Sequence, residues 1–202
     1  MRRSYGSRRV YCAVCTLILI SLSQVFSANK YVLKCRKDVL IESEKIMLSQ
    51  VGIPEIPKNR GIAEVYLASV GLESGNPYCA AGQYYCYLQA VRKLKLSAKN
   101  IPIAKTGLSR KILSEASTRG IKVRYHPQRH DLIIWRKIGS SWQGHIERII
   151  STGKAGWVTT VGFNVKMADG REGVSFKKRN MYHLIGKLRT AGIVGFVEVQ
   201  ND

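Results

Sequence analysis

The chain changes period at its middle, and that change constrains the fold more than any other feature. Up to about residue 119 the apolar residues recur at helical spacing. In 38–51, Val39, Leu40, Ile41, Ile46, Met47 and Val51 share one broad face, and Gly52, Pro54 and Pro57 then break the pattern. A second helix is expected over 62–70, after the turn Asn59-Arg60-Gly61, and a short one over 109–118, ended by Gly120. Residues 97–107 read as a polar connection. From 131 onward the pattern is that of strands bounded by turn residues. They fall at 131–135, 144–151, 157–163, 173–178 and 193–199, with a Gly-rich turn over 152–156. Helices followed by a run of strands argue an α+β domain. The expectation is N-terminal helices packed on a small antiparallel sheet.

Between the second and last of these helices lies Ser74-Gly75-Asn76-Pro77-Tyr78-Cys79-Ala80-Ala81-Gly82. It reads as a loop that delivers a cysteine to a helix start. Asn76 is a good N-cap and Pro77 suits the first helical position, where no N–H is needed. The helix then runs to about residue 94 through Tyr84, Tyr85, Leu88 and Val91. A thiol in the first turn meets free N–H groups and the positive end of the helix dipole, which favour the nucleophilic thiolate. The small residues Ala80, Ala81 and Gly82 would let another element approach closely. Without a partner base, Cys79 would read as a small buried hydrophobe.

A base is available. Of the four histidines, His126 and His130 fall among turn residues and His183 on the surface. His145 opens the 144–151 strand and is the candidate general base.

Residues 1–27 read as a secretory signal, leaving 28–202 as one mature domain. Arg2, Arg3, Arg8 and Arg9 precede an apolar run over 10–22, and Val25-Phe26-Ser27 is an acceptable cleavage site. The run is short for a membrane span, which needs ~20 apolar residues. Secreted or periplasmic protein is expected; the alternative is an anchor that stays uncleaved. Cys12 and Cys15 fall in this segment. Cys35, Cys79 and Cys86 remain, an odd number, so at least one thiol is unpaired within a single chain. Cys79 and Cys86 on one helix would be separated by ~10.5 Å of rise, too far for a disulfide. A Cys35–Cys86 pair stays open.

The formal charge is +20. Such a surface adheres to polyanions. Export disfavours nucleic acid as the partner and leaves an anionic envelope polymer. No zinc-finger spacing or RNA-binding motif is present, no cofactor is expected, and the domain is expected to act as a monomer.

Taken in order, these pieces resemble the CHAP amidohydrolases, papain-like cell-wall peptidases. Asn76-Pro77-Tyr78-Cys79-Ala80-Ala81 is similar to that family's nucleophile segment, and Asn59-Arg60-Gly61 to a turn upstream of it. Asp131-Leu132-Ile133-Ile134-Trp135 looks like the strand before the family histidine, Gly144-His145 like the histidine strand, and Gly156-Trp157-Val158-Thr159-Thr160-Val161 like the next. The resemblance spans about 38–178. It implies a papain-like fold, Cys79 as nucleophile, His145 as base, and hydrolysis of amide or peptide bonds in peptidoglycan. Backbone N–H groups at the helix start, that of Cys79 included, would form the oxyanion hole.

Two positions depart from the family. His130 stands where glycine is usual before the strand aspartate. Gly162 stands where a carboxylate often lies, two residues before the asparagine that Asn164 resembles. Pairing 144–151 with 157–163 about Lys154-Ala155 sets Glu147 opposite Gly162 and His145 opposite Asn164. Residues two apart share a strand face. Glu147 would then supply the displaced carboxylate, Gly162 would leave room for it, and Asn164 would orient the imidazole. The competing reading of Glu147 is a solvated strand residue. The competing reading of the whole chain is a non-catalytic wall-binding relative, motivated by the missing carboxylate.

Overall fold

The computed structural model describes residues 28–200; the segment 1–27, read above as a secretory signal, lies outside them. Among the described residues four α-helices, α1 (Lys37–Ser49), α2 (Ile62–Ser69), α3 (Cys79–Lys93) and α4 (Ser109–Arg119), accompany seven strands. The strands are β1 (Asn29–Arg36), β2 (Ile121–Val123), β3 (Leu132–Lys137), β4 (Gly144–Thr152), β5 (Trp157–Lys166), β6 (Glu172–Asn180) and β7 (Leu188–Val199). They form one sheet in the order β2-β1-β7-β3-β4-β5-β6.

The α+β class holds, but the sheet is neither small nor purely antiparallel. β1 joins the sheet parallel to β7, one strand in from the edge, and β2 pairs with β1 at the edge itself. Neither strand stands out in the sequence. In β1 a lysine, Lys30, occupies a buried position at 3% exposure and breaks the apolar alternation. β2 is three residues long and exposed throughout.

The long helix α3 is the centre of the molecule. It packs on α1, α2, β4 and β5. Cys79, Ala80, Tyr84, Tyr87, Ala90 and Val91 meet Leu132, Ile134, Ile146 and Val194 of the sheet. Ala81 and Cys86 face a second cluster with Tyr66, Tyr78, Val161 and Phe163. Gly82 permits the closest approach: a Cβ there would lie 2.3 Å from the Phe163 ring. β3 is buried on both faces, with Leu132 and Ile134 toward the helices and Ile133 and Trp135 in a cluster of their own. Burying such side chains contributes about 1.5–3 kcal/mol each.

The start of α3 differs from the expectation by two residues. The helix begins at Cys79 with Tyr78 as N-cap, and no side chain caps it. The Asn76 amide turns back instead and donates to the Glu73 carbonyl at 3.1 Å. That local bond closes a turn in the loop, a competing use typical of asparagine. Cys35, Cys79 and Cys86 are all free thiols, so no Cys35–Cys86 disulfide forms.

Candidate active site

Cys79 is the first residue of α3, and the first intrahelical bond runs from the Gly82 N–H to the Tyr78 carbonyl at 2.8 Å. The N–H groups of Cys79, Ala80 and Ala81 therefore have no acceptor within the helix. The thiol is 5% exposed and forms part of the wall of a cleft of about 650 Å³. Its neighbour is His145, the second residue of β4.

The β4–β5 register sets Glu147 opposite Gly162. Glu147 is fully buried. One of its oxygens lies 3.0 Å from His145 Nε2. Thr160 donates its hydroxyl to the other at 2.5 Å. Arg179 closes the cluster from β6, with Nε donating to the two oxygens at 3.1 and 3.0 Å and Nη2 to Oε1 at 2.5 Å. A Cβ at Gly162 would come within 3.0 Å of Glu147 Cγ and Oε1 and 2.8 Å of Val165. The glycine thus vacates the volume that the glutamate fills, and Glu147 is no solvated strand residue.

This arrangement determines the protonation of the site. Burial favours neutral His145, but the Cys79 and Glu147 side chains beside the ring outweigh it and raise the imidazole to about 10. Burial likewise favours neutral Glu147, yet His145 and Arg179 hold its carboxyl down to about 2. An ionised Glu147 accepts the Nε2 proton, which leaves Nδ1 as the nitrogen available to the thiol. Burial pushes the Cys35 and Cys86 thiols up to about 12.

Asn164 directs its side-chain amide to partners other than the imidazole. A β-bulge interrupts the β5–β6 register between Phe163 and Val165, and Asn164 sits in it with φ at 57°. Its amide donates to Asn59 Oδ1 and to Glu172 Oε2, each at 3.1 Å. Asn59 in turn donates to the Gly75 carbonyl at 3.2 Å. Asn164 therefore braces the loop that leads into Cys79, through the Asn59-Arg60-Gly61 turn. The β4–β5 ladder begins at Glu147, and the cross-strand neighbour of His145 is Trp135 on β3. The two rings are 6.0 Å apart at an interplanar angle of 33°.

Two members of the cluster, Thr160 and Arg179, escape the sequence reading. The signal for them is alternation. Thr160 and Gly162 share a face of β5, and Arg179 pairs with Val158 on that face. Ending the last-but-one strand at 178 leaves Arg179 out by one residue.

His130, just ahead of Asp131, adopts the left-handed conformation glycine favours, with φ at 73°. Its ring is held 3.0 Å from Glu44 and 2.9 Å from the buried Arg148. Among the described residues no cluster of three His, Cys, Asp or Glu side chains could hold a metal ion. Comparison with protein-family models, curated proteins and solved structures returned no match.

Proposed function

We propose that this protein is a cysteine hydrolase of the CHAP type, with a papain-like core, exported to cut amide or peptide bonds in peptidoglycan. The observation that carries the reading is the line Cys79–His145–Glu147–Arg179: a thiol at a helix start, an imidazole beside it, and a buried ionised carboxylate on the far ring nitrogen. Nucleophile, base and orienting group in that order are what acyl transfer by a thiolate requires.

In the proposed reaction His145 holds the Cys79 proton, and the thiolate adds to the substrate carbonyl carbon. The N–H groups at the start of α3 receive the negative charge that develops on the carbonyl oxygen. Collapse breaks the C–N bond as the imidazolium gives its proton to the leaving amine. Water, deprotonated by His145, then attacks the thioester, releasing the carboxylic acid and the free thiol. The +20 charge and the segment 1–27 support an exported protein acting on an anionic envelope.

Zymography on purified peptidoglycan tests the proposal. Wild type is expected to clear the gel and Cys79→Ala to leave it opaque. Equal clearing by both would remove the cysteine mechanism, and clearing by neither would favour the wall-binding reading.

A further inference from the structure

A second cleft, of about 370 Å³, lies between α4 and the strands β1, β3 and β7, and shares no residue with the one beside Cys79. Arg110 enters it from α4 and Arg136 from β3, and no Asp or Glu lines it. Arg110 is tethered by one bond, from Nη1 to the Ser140 carbonyl, which leaves most of its five donors uncommitted. Its stem lies against Gly144, where a Cβ would come 3.3 Å from Arg110 Cγ, and Gly144 is the cross-strand partner of Arg136. Among the described residues the Arg136 guanidinium has neither a carboxylate nor a hydrogen-bond acceptor. The strand register adds charge to the same place. β3 and β7 pair Ile134 with Gly192 but Trp135 with Thr190, so Ala191 is an extra residue in a bulge, and it lines the cleft. An unbroken register would set Thr190 opposite Arg136; the bulge sets Arg189 there instead. Like charges directly opposite one another on a sheet repel, and an anion between them turns the repulsion into attraction.

These features narrow the ligand. Guanidiniums with no carboxylate between them select an anion, and a cleft charged with one sign concentrates ligands of the other. Because one arginine comes from the helix and the other from the sheet, they suit an oxyanion whose oxygens point in several directions. A flat carboxylate presents two oxygens in one plane and meets one guanidinium well. Asn29, Tyr31 and Ser114 add neutral donors to the wall, and among the described residues their side chains have no other partner. They can hold a polar stem attached to the anion. We infer that this cleft binds a phosphoryl group, with Arg110 and Arg136 as its principal contacts. The inference goes beyond the hydrolase reading and needs neither Cys79 nor a hydrolytic reaction.

Amide NMR spectra of nitrogen-labelled protein test it without turnover. Glycerol phosphate, a monoester, and glycerophosphoglycerol, a diester, are titrated at constant ionic strength and compared with acetate. Saturable shifts are expected at the amides of Asn29, Ser114 and Ala191, with acetate bound about tenfold more weakly or worse. Arg110→Gln and Arg136→Gln should each weaken binding by about fivefold, the upper range for a partly exposed ion pair, and the double variant by more than about tenfold. Lys178→Gln, on β6 at the far edge of the sheet, removes the same charge and should keep wild-type affinity. The spectra themselves show whether each variant is folded. Tighter binding of the monoester would identify a terminal phosphate as the ligand, and tighter binding of the diester a phosphate within a chain; either upholds the site. Shifts scattered over the basic surface without saturation, acetate bound as tightly, or wild-type affinity in the double variant would overturn it. Peptidoglycan clearing is a separate result, since Cys79→Ala should bind both phosphates as wild type does.

Discussion

Glu147 carries the proposed site at the scale of single residues. Its charge is fully enclosed, and both oxygens are taken by His145, Thr160 and Arg179. Glu147→Gln preserves shape but removes the charge that Arg179 and the imidazolium need. Turnover is expected to drop by about 100-fold or more, as when a triad's orienting carboxylate becomes an amide. Stability should fall by about 1–3 kcal/mol, the cost of a broken buried pair moderated by Arg179's partial exposure. Steady-state kinetics and urea denaturation read the two effects separately. The pH dependence follows from His145. Its pKa in the folded protein lies above the unfolded value of 6.5, at about 10. The stabilisation this gives is complete below 6.5 and is lost as pH rises through 10. The stability advantage of wild type over His145→Asn should therefore shrink between those values, and thermal melts across that range would show it. An advantage that grew with pH would mean the imidazole is neutral in the folded site.

At the scale of elements, the site depends on how closely α3 and β5 approach. Gly82 faces Phe163 with no room for a methyl group. Gly82→Ala should cost about 1–3 kcal/mol from overpacking despite alanine's better helix propensity, and should lower turnover because α3 carries Cys79. The bulge in β5 makes a different demand. Asn164→Ala loses two hydrogen bonds and places a β-carbon at positive φ, whereas Asn164→Gly loses the same bonds without that strain. The glycine variant should be the more stable of the two by about 1 kcal/mol, with turnover in both closer to wild type than in Glu147→Gln. These two elements also show what was legible in the sequence. A count centred on Lys154-Ala155 reaches the pairing of Glu147 with Gly162, although an irregularity between Ile149 and Ser151 offsets the register by one residue nearer the turn. The His145–Asn164 pairing that the same count gives lies outside the ladder, which ends at Glu147, and Asn164 sits in a bulge on the β6 side of β5 that pattern alone does not reveal. The helix start is missed by two positions for a similar reason, because the Asn76 amide had two uses and the loop took it.

The whole molecule is tied together by its first strand. β1 pairs along its own full length with β7, from Asn29 beside Gly192 to Arg36 beside Val199. Cleavage after Ser27 would leave that ladder intact, so N-terminal sequencing of exported protein should give a start near Ala28. β1 is also held by a buried ion pair, Lys30 Nζ to Asp131 Oδ2 at 2.7 Å, with both side chains at most 3% exposed. Lys30 reaches its partner across Gly195, where a Cβ would lie 2.4 Å from Lys30 Cε. The ammonium also donates to the His126 carbonyl and to Gln128, each at 2.9 Å, so one side chain joins β1 to the loop ahead of β3. Asp131 in turn accepts from the Gln128 N–H at 2.8 Å. Burial holds the Asp131 carboxyl above the ordinary carboxylate range even with Lys30 beside it. Lys30→Met should therefore strand a buried charge and destabilise the protein by about 3–5 kcal/mol at neutral pH. Below the ordinary carboxylate range Asp131 becomes neutral in both proteins, and the penalty should shrink as pH falls toward it. Lys30→Met/Asp131→Leu removes both charges and should recover most of the loss. Urea titrations of wild type, the two single variants and the double variant at neutral and acidic pH complete the cycle. A Lys30→Met penalty unchanged by pH, and unrelieved in the double variant, would show that Lys30 holds β1 through its carbonyl and amide contacts and that the charge pair contributes little.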